Sequence, residues 1–322
     1  MKIAYVLEDA GLSGGAKVVL EHCNRLAKRG HDVTLFTVTS NDPKRWFPLK
    51  VKRIVAGSYN ALRSLLEAYD GYKTATWWKT ALPVAESGGR GFYLVQDIET
   101  SYLENEREHK QVLATYEYPL TKICEGIWVQ QNLDMAKYVG IGIDHDIFKP
   151  MDTQRKEKSI IYNYRMHFLK DPDLFIQMLP YLPKEYSVST FGMDKPKDRR
   201  CNHNGFVTEK DVALLYNQSA VCVVSSRHEG FCLPIIEAMA CGCPVVTTNA
   251  DANMEFCVDG FNCLVVDRNP EKLAKAVQSV CCDNELRSRI IAEGIKTASR
   301  YKWDSVIDKL ETIYDTSFTK GA

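Results

Sequence analysis

No run of 18 apolar residues free of charge occurs in this chain of 322 residues, so no segment reads as a helix that spans a bilayer. Charge of one sign is not in excess either. The 41 Lys and Arg meet 41 Asp and Glu, for a formal net charge of +0, so bulk electrostatics make no case for nucleic-acid binding. The 11 cysteines contain no paired C-x2-C framework, and Cys281-Cys282 is vicinal, a poor arrangement for a metal. Cys222, Cys232, Cys241, Cys243 and Cys263 fall among core-like residues, so reduced thiols acting as small hydrophobes are expected. Repeats and low-complexity tracts are missing as well. The opening MKIAYVLEDAGLSGG reaches acids and glycines too soon for a signal peptide, and a cytoplasmic protein is expected.

What is present is strand–helix alternation that runs twice. Hydrophobic and charged shares of 45% and 25% are those of an ordinary globular protein, and the length suits two domains of about 150 residues each. Lys2 to Leu7 reads as a strand, Ala16 to Arg29 as a helix and Val33 to Val38 as the next strand. Gly11, Gly14 and Gly15 between them are spaced G-x-x-G-G, not G-x-G-x-x-G, and Asp32 precedes the second strand instead of ending it. Both features argue against NAD, although a glycine pair opening a helix still suits a phosphate. Strands are expected at 91–95 and 126–130, with helices near 107–122 and 131–138. GIGIDHDIFKP (140–150) interrupts the pattern and places a boundary near 150–158. Beyond it Ser159 to Tyr164 is a strand. Arg165 and Lys170 follow it, spaced so that both cations can converge on one point at the strand's carboxyl end.

The stretch Val221 to Thr248, VCVVSSRHEGFCLPIIEAMACGCPVVTT, organises the second half. A buried β-branched strand leads into a polar loop, Pro234 suits the first turn of a helix, Gly242 suits its end, and Pro244 to Thr247 restarts a strand. A loop at a strand's carboxyl end before a helix N-terminus is a ready anion site. Glu229 in the loop and Glu237, read as first-turn, are acceptors suited to sugar hydroxyls. Together they suggest a nucleotide diphospho-sugar.

EGFCLPIIEAMACGCPVV resembles the donor-binding signature of retaining GT-B glycosyltransferases of the large GT4 family. The resemblance implies an α/β GT-B architecture of two doubly wound Rossmann-like domains facing across a cleft. These are an N-terminal acceptor-side domain at 1–150 and a nucleotide-sugar domain at 151–302, with a C-terminal helix at 303–322 crossing back to the first. It also implies that Glu229, Gly230 and Phe231 hold the sugar and Glu237 the ribose. Arg165, Lys170 and the helix start around Cys232 and Leu233 would meet the diphosphate, with Arg165, Lys170 and Glu229 as catalytic residues. Phe206 and Val207 would lie along the nucleobase, and Gly14 and Gly15 would touch the donor phosphate. Many members carry a histidine near the reacting sugar; this chain has Gln96 and Asp97 there, on the sugar or acceptor side, so that catalytic role does not transfer. Asp171-Pro172 stands where a glycine usually follows the lysine, and Asp251-Ala252 replaces a glycine pair before Glu255.

The implied function is retaining transfer from a nucleoside-diphosphate sugar to an acceptor hydroxyl, without metal or other cofactor. ATWWKTALPVA and FYLVQDIETSYL look like bacterial rhamnosyl- and mannosyltransferases of cell-surface polysaccharide synthesis. The acceptor would be a glycan or a lipid-linked sugar. DPKRWFPLKVKR (42–53) is either a solvated loop or a peripheral contact with the inner membrane face. A sugar-nucleotide epimerase and a non-catalytic sugar-nucleotide-binding protein are the alternatives, and base, sugar and acceptor remain open.

Overall fold

Lys2–Leu7 (β1) is buried from Ile3 onward, as befits a parallel strand covered on both faces. Ser13 then caps a helix, Gly14–Lys28 (α1), its hydroxyl accepting from the Ala16 N–H at 3.1 Å. Gly30, at φ 90°, turns the chain into Asp32–Thr37 (β2). This unit recurs throughout a computed structural model that describes residues 1–316 and divides into two compact units.

Unit 1 comprises Met1–Ile141 and the chain from Asp304 on. Its further strands are Lys52–Val55 (β3), Tyr72–Ala75 (β4), Gly91–Val95 (β5), Thr121–Cys124 (β6) and Lys137–Tyr138 (β7), separated by Tyr59–Glu67 (α2), Trp78–Glu86 (α3), Glu106–Thr115 (α4) and Ile127–Asn132 (α5). Unit 2, Gly142–Trp303, contains Lys156–Asn163 (β8), Pro172–Met178 (α6), Ser187–Phe191 (β9), Cys201–His203 (β10), Glu209–Gln218 (α7), Ser219–Val224 (β11), Leu233–Ala240 (α8), Val245–Thr248 (β12), Leu264–Val266 (β13), Pro270–Cys282 (α9) and Asn284–Ala298 (α10). Both sheets are parallel. Their orders are β3-β2-β1-β4-β5-β6-β7 and β10-β9-β8-β11-β12-β13. Each is a doubly wound sheet whose strand order reverses at one point, β1/β4 in unit 1 and β8/β11 in unit 2. Ligands of such sheets bind outside the carboxyl ends of the strands at that reversal.

Several expectations need correction. The strand expected at 126–130 lies earlier, at Thr121–Cys124, and Ile127–Asn132 is helical. Ile-Trp-Val reads as β-branched and aromatic, but only Val129 of this helix is buried, so tertiary context overrides propensity there. The helix expected at 131–138 is likewise replaced by the short strand β7. The units divide at Ile141/Gly142, ahead of position 150. The Ile143 N–H donates to the Tyr301 carbonyl (3.1 Å), and a Cβ at Gly142 would lie 2.6 Å from the Trp303 nitrogen, so this stretch is packed against the end of unit 2.

The last helix, Trp303–Thr316 (α11), packs into the core of unit 1. Tyr314 stacks on Tyr72 and meets Phe92 edge-on, and its hydroxyl bonds to Tyr5 (3.0 Å) and Thr74 (3.1 Å). Positions 317–322 of the expected 303–322 segment lie outside the described residues. In the basic stretch, Phe47 and Leu49 are buried, and the Trp46 indole donates to the Ala10 carbonyl at 3.1 Å. The aromatic pair anchors its own loop, while Lys44, Arg45, Lys50 and Lys52 are exposed. No described helix is long and apolar enough to cross a membrane. All 11 cysteines are unbridged, and most are buried.

Among the buried carboxyl groups of unit 1, burial pushes Glu99 and Glu125 each up to about 8. Their folded values exceed the ordinary one, so their contribution to stability is complete below about pH 4.5 and is lost as pH rises towards 8. Burial acts oppositely on His22, lowering it to about 3, so its contribution is lost below pH 6.5. Between pH 6.5 and 8 only the glutamates of this group titrate. Denaturant unfolding should show stability falling over that window, by up to about 1.4 kcal/mol per pH unit for each carboxyl. Glu125→Gln should flatten the slope; an unchanged slope would mean that Glu125 is already ionised in the fold.

Candidate functional site

The strand-order reversal of unit 2 brings the loop after β8 against the loop after β11. Lys170 ends a short helical turn, Phe168–Lys170, and its Nζ donates to Glu229 Oε2 at 2.6 Å. The Ser226 hydroxyl donates to the other oxygen, Glu229 Oε1, also at 2.6 Å. Glu229 is buried, whereas the Lys170 side chain keeps about 30% of its surface. Burial alone would lower the Lys170 ammonium, but the Glu229 carboxylate beside it outweighs this and raises its pKa. Lys170 is therefore charged at neutral pH. Arg165 is exposed, in the same loop. His167 between them is lowered by burial and then by the Arg165 and Lys170 charges, so it is neutral and adds no cation.

Glu229 is followed by Gly230 and Phe231, both buried; the Phe231 ring packs among Phe256 and Tyr301, which leaves its backbone to form the loop. Cys232 caps α8 at φ 79°, ψ 68°, a left-handed conformation uncommon for a side chain of its kind. Leu233 begins the helix half-buried. Pro234 supplies no N–H and the Ile235 N–H goes to the Cys232 carbonyl (3.2 Å), so an anion here would use amides from Leu233 back into the loop. Glu237 is buried in the second turn of α8, one turn later than expected. At the end of that helix the Cys243 N–H reaches the Ala238 carbonyl (2.9 Å) and Gly242 sits at φ 67°, a Schellman ending.

Phe206 and Val207 follow β10, Phe206 being 47% exposed and Val207 half-buried. The neighbouring loop requires glycine. Gly192, after β9, has φ 131°, and a Cβ there would lie 2.3 Å from the Tyr164 carbonyl oxygen. Close approach of the β8 and β9 ends depends on it.

Sequence reasoning missed a second charged group in this unit. Asp171, buried at φ 45°, takes ion pairs from Arg227 (3.1 Å) and from Arg268. The Arg227 guanidinium also stacks over the exposed ring of Phe168, 4.7 Å from its centroid. The available signal was the polar run Ser225-Ser226-Arg227-His228, set abruptly at the carboxyl end of an entirely buried strand.

In unit 1 the candidate residues form a separate group. Gly14 and Gly15 open α1, and the Gln96 side-chain amide donates to the Gly15 carbonyl (3.1 Å) and to Glu125 (3.3 Å). A Cβ at Gly15 would meet Gln96 Oε1 at 2.7 Å, so the glycine gives the amide its place. Asp97 is committed otherwise: its carboxylate accepts from the Ile98 N–H (2.8 Å) and the Tyr102 hydroxyl (2.7 Å). Among the described residues no group of three or more His, Cys, Asp and Glu is placed to hold a metal ion.

Against known proteins, residues 194–297 match the family described as glycosyl transferases group 1. The match lies within unit 2 and covers about a third of the chain. It is similar to the D-inositol 3-phosphate glycosyltransferase of Xylanimonas cellulosilytica, 26% identical over 57% of this chain and 52% of that protein. It is also similar to the O-antigen chain mannosyltransferase B of Escherichia coli, 34% identical over 31% of this chain and 26% of the other. The chain spans about half, or less, of the length of these curated relatives. Among solved structures it is similar to sucrose-phosphate synthase from Thermosynechococcus elongatus, with a TM-score of 0.82 at 17% identity over 99% of both chains. It is equally similar to Anabaena HepE in complex with UDP and glucose, with a TM-score of 0.86 at 14% identity over 98% of this chain and 100% of that one. These likenesses establish the GT-B fold.

Proposed function

We propose that this protein is a retaining glycosyltransferase that moves a sugar from a nucleoside-diphosphate sugar to an acceptor hydroxyl in the synthesis of a cell-surface glycan. The observation that carries the reading is the Lys170–Glu229 pair, 2.6 Å apart at the strand-order reversal of unit 2. It sets a cation for phosphate oxygens beside a carboxylate for sugar hydroxyls. In the reaction the bond from the anomeric carbon to the diphosphate oxygen breaks, and its electron pair leaves with the diphosphate. The acceptor oxygen bonds to that carbon from the same face and gives its proton to the departing phosphate. Lys170, Arg165 and the amides before α8 oppose the charge that grows on the leaving group. Glu229 stabilises the flattened, positively charged sugar ring. The two cations stand in for a metal. The acceptor is proposed to be a glycan or lipid-linked sugar, and the exposed lysines and arginine at 44–52 could draw the protein to an anionic membrane face.

A thermal-shift panel of UDP-, GDP- and dTDP-sugars tests donor binding; a donor at a hundred times its Kd should add about 2.7 kcal/mol. UDP is the first probe, given the HepE complex. Donor turnover with and without a glycan extract then separates transfer from epimerisation and from binding alone. Turnover should survive chelation, and a loss restored by Mg²⁺ would overturn the metal-free assignment. Glu237, placed on the ribose, should contribute equally in ground and transition states. Glu237→Gln is therefore expected to raise donor KM about tenfold with kcat nearly unchanged. A fall in kcat instead would move Glu237 to the reacting end.

A further inference from the structure

The loop that carries Glu229 is held on both sides by aspartates in backbone conformations that L side chains avoid. Asp171 stands at φ 45°, ψ 58°, and Asp251 at φ 56°, ψ −95°. Residues other than glycine persist in such conformations where their surroundings over-determine them. Here the surroundings are the Glu229 loop, joined at Asp171 by Arg268 from the loop after β13. The Asp171 carboxylate binds Arg227 (3.1 Å) and Arg268, its carbonyl accepts from the Ser225 hydroxyl (2.9 Å), and the Arg227 N–H donates to the neighbouring Leu169 carbonyl (2.7 Å). On the other side the Asp251 carboxylate meets His228 Nδ1 at 2.6 Å. The Glu229 backbone pairs with the residues flanking Asp251, its N–H donating to the Ala250 carbonyl (3.2 Å) and its carbonyl accepting from the Ala252 N–H (3.3 Å). Consecutive residues Arg227 and His228 thus each take one strained aspartate, and Glu229 comes next.

We infer that Asp171 and Asp251 are positioning residues that fix the Glu229 carboxylate against Lys170, an assignment that rests on the donor reading above. Neither touches the donor in this reading. Asp171 acts on both members of the pair, because it is adjacent to Lys170 in sequence and holds the loop of Glu229 through Arg227. Asp251 acts on Glu229 alone, through His228 and the backbone.

The test uses Asp171→Gly and Asp251→Gly. Glycine accepts positive φ without strain, so each variant should keep or raise its Tm while losing the clamp. Loss of registry at the reacting centre should lower kcat by about 10²-fold, with the Kd for UDP unchanged. Asp→Asn at either position tolerates the left-handed backbone and keeps one acceptor oxygen, and should restore most of the turnover. In ligand-free protein, amide hydrogen exchange over 225–229 should quicken in both glycine variants. Wild-type turnover with unchanged exchange would overturn the inference. So would a lower Tm with UDP affinity and kcat falling together, since that is the signature of general damage. If wild-type protein turns over no nucleotide sugar, the donor reading fails, and exchange at 225–229 still decides whether the aspartates hold the loop.

Discussion

Lys170→Ala is expected to turn over donor about 10²–10³-fold more slowly than the wild-type protein, the usual cost of removing one group that stabilises developing charge. Binding should suffer less than catalysis, because the charge on the leaving diphosphate is greatest in the transition state. The structure adds a complication that sequence did not suggest. Removing the ammonium leaves Glu229 buried with the Ser226 hydroxyl but without its cation. Some of the loss in the single variant will therefore report an uncompensated carboxylate. The double variant Lys170→Ala, Glu229→Gln separates the two effects, and its deficit should be smaller than the two single deficits multiplied together. Steady-state kinetics on variants with wild-type circular dichroism supplies the numbers. Near-normal turnover in folded Lys170→Ala would remove this residue from the mechanism.

Glu229→Gln is expected to push two measurements in opposite directions. Turnover should fall about 10²-fold, because a neutral amide gains nothing as positive charge develops on the sugar ring. The Kd for UDP alone should tighten by about tenfold, because Lys170 no longer divides its charge between a carboxylate and the diphosphate. Discrimination between sugars that share a base should weaken as well, since a site that bonds a hydroxyl penalises its absence. Titration calorimetry with UDP and kinetics with two UDP-sugars test this. UDP binding that weakens would mean that Glu229 supports the nucleotide end instead, and that the donor lies the other way round.

The regular parts of the fold were legible because strand and helix leave periodic marks. Lys2–Leu7 and Gly91–Val95 fall where the pattern places them, since short apolar runs bounded by turn residues act locally. The slip at Ile127–Asn132 shows the limit, since a short apolar run carries no period long enough to separate strand from helix. In the site, Lys170 and Glu229 were each legible from their own loop. Their pairing was not, because they lie 59 residues apart and meet only when β8 and β11 become neighbours. The Asp171–Arg227–Arg268 group was harder still. It gathers one side chain from each of three loops, and each alone reads as an ordinary surface charge. Gln96 and Asp97 looked equivalent in sequence, yet only the Gln96 amide lies against the glycine-opened helix.

Tyr314 has a consequence for the order in which the protein is made. Its ring fills the space beside Tyr5, Tyr72 and Phe92, so unit 1 stays without part of its core until α11 has been synthesised. Unit 2 intervenes as one uninterrupted piece of about 160 residues, which takes roughly 8–30 s to translate at about 5–20 residues per second. During that interval the first half of the chain waits with an aromatic face uncovered, while the later-made unit already holds everything it needs to fold. The amino-terminal unit is therefore closed last, by a segment made some 300 residues after its first strand.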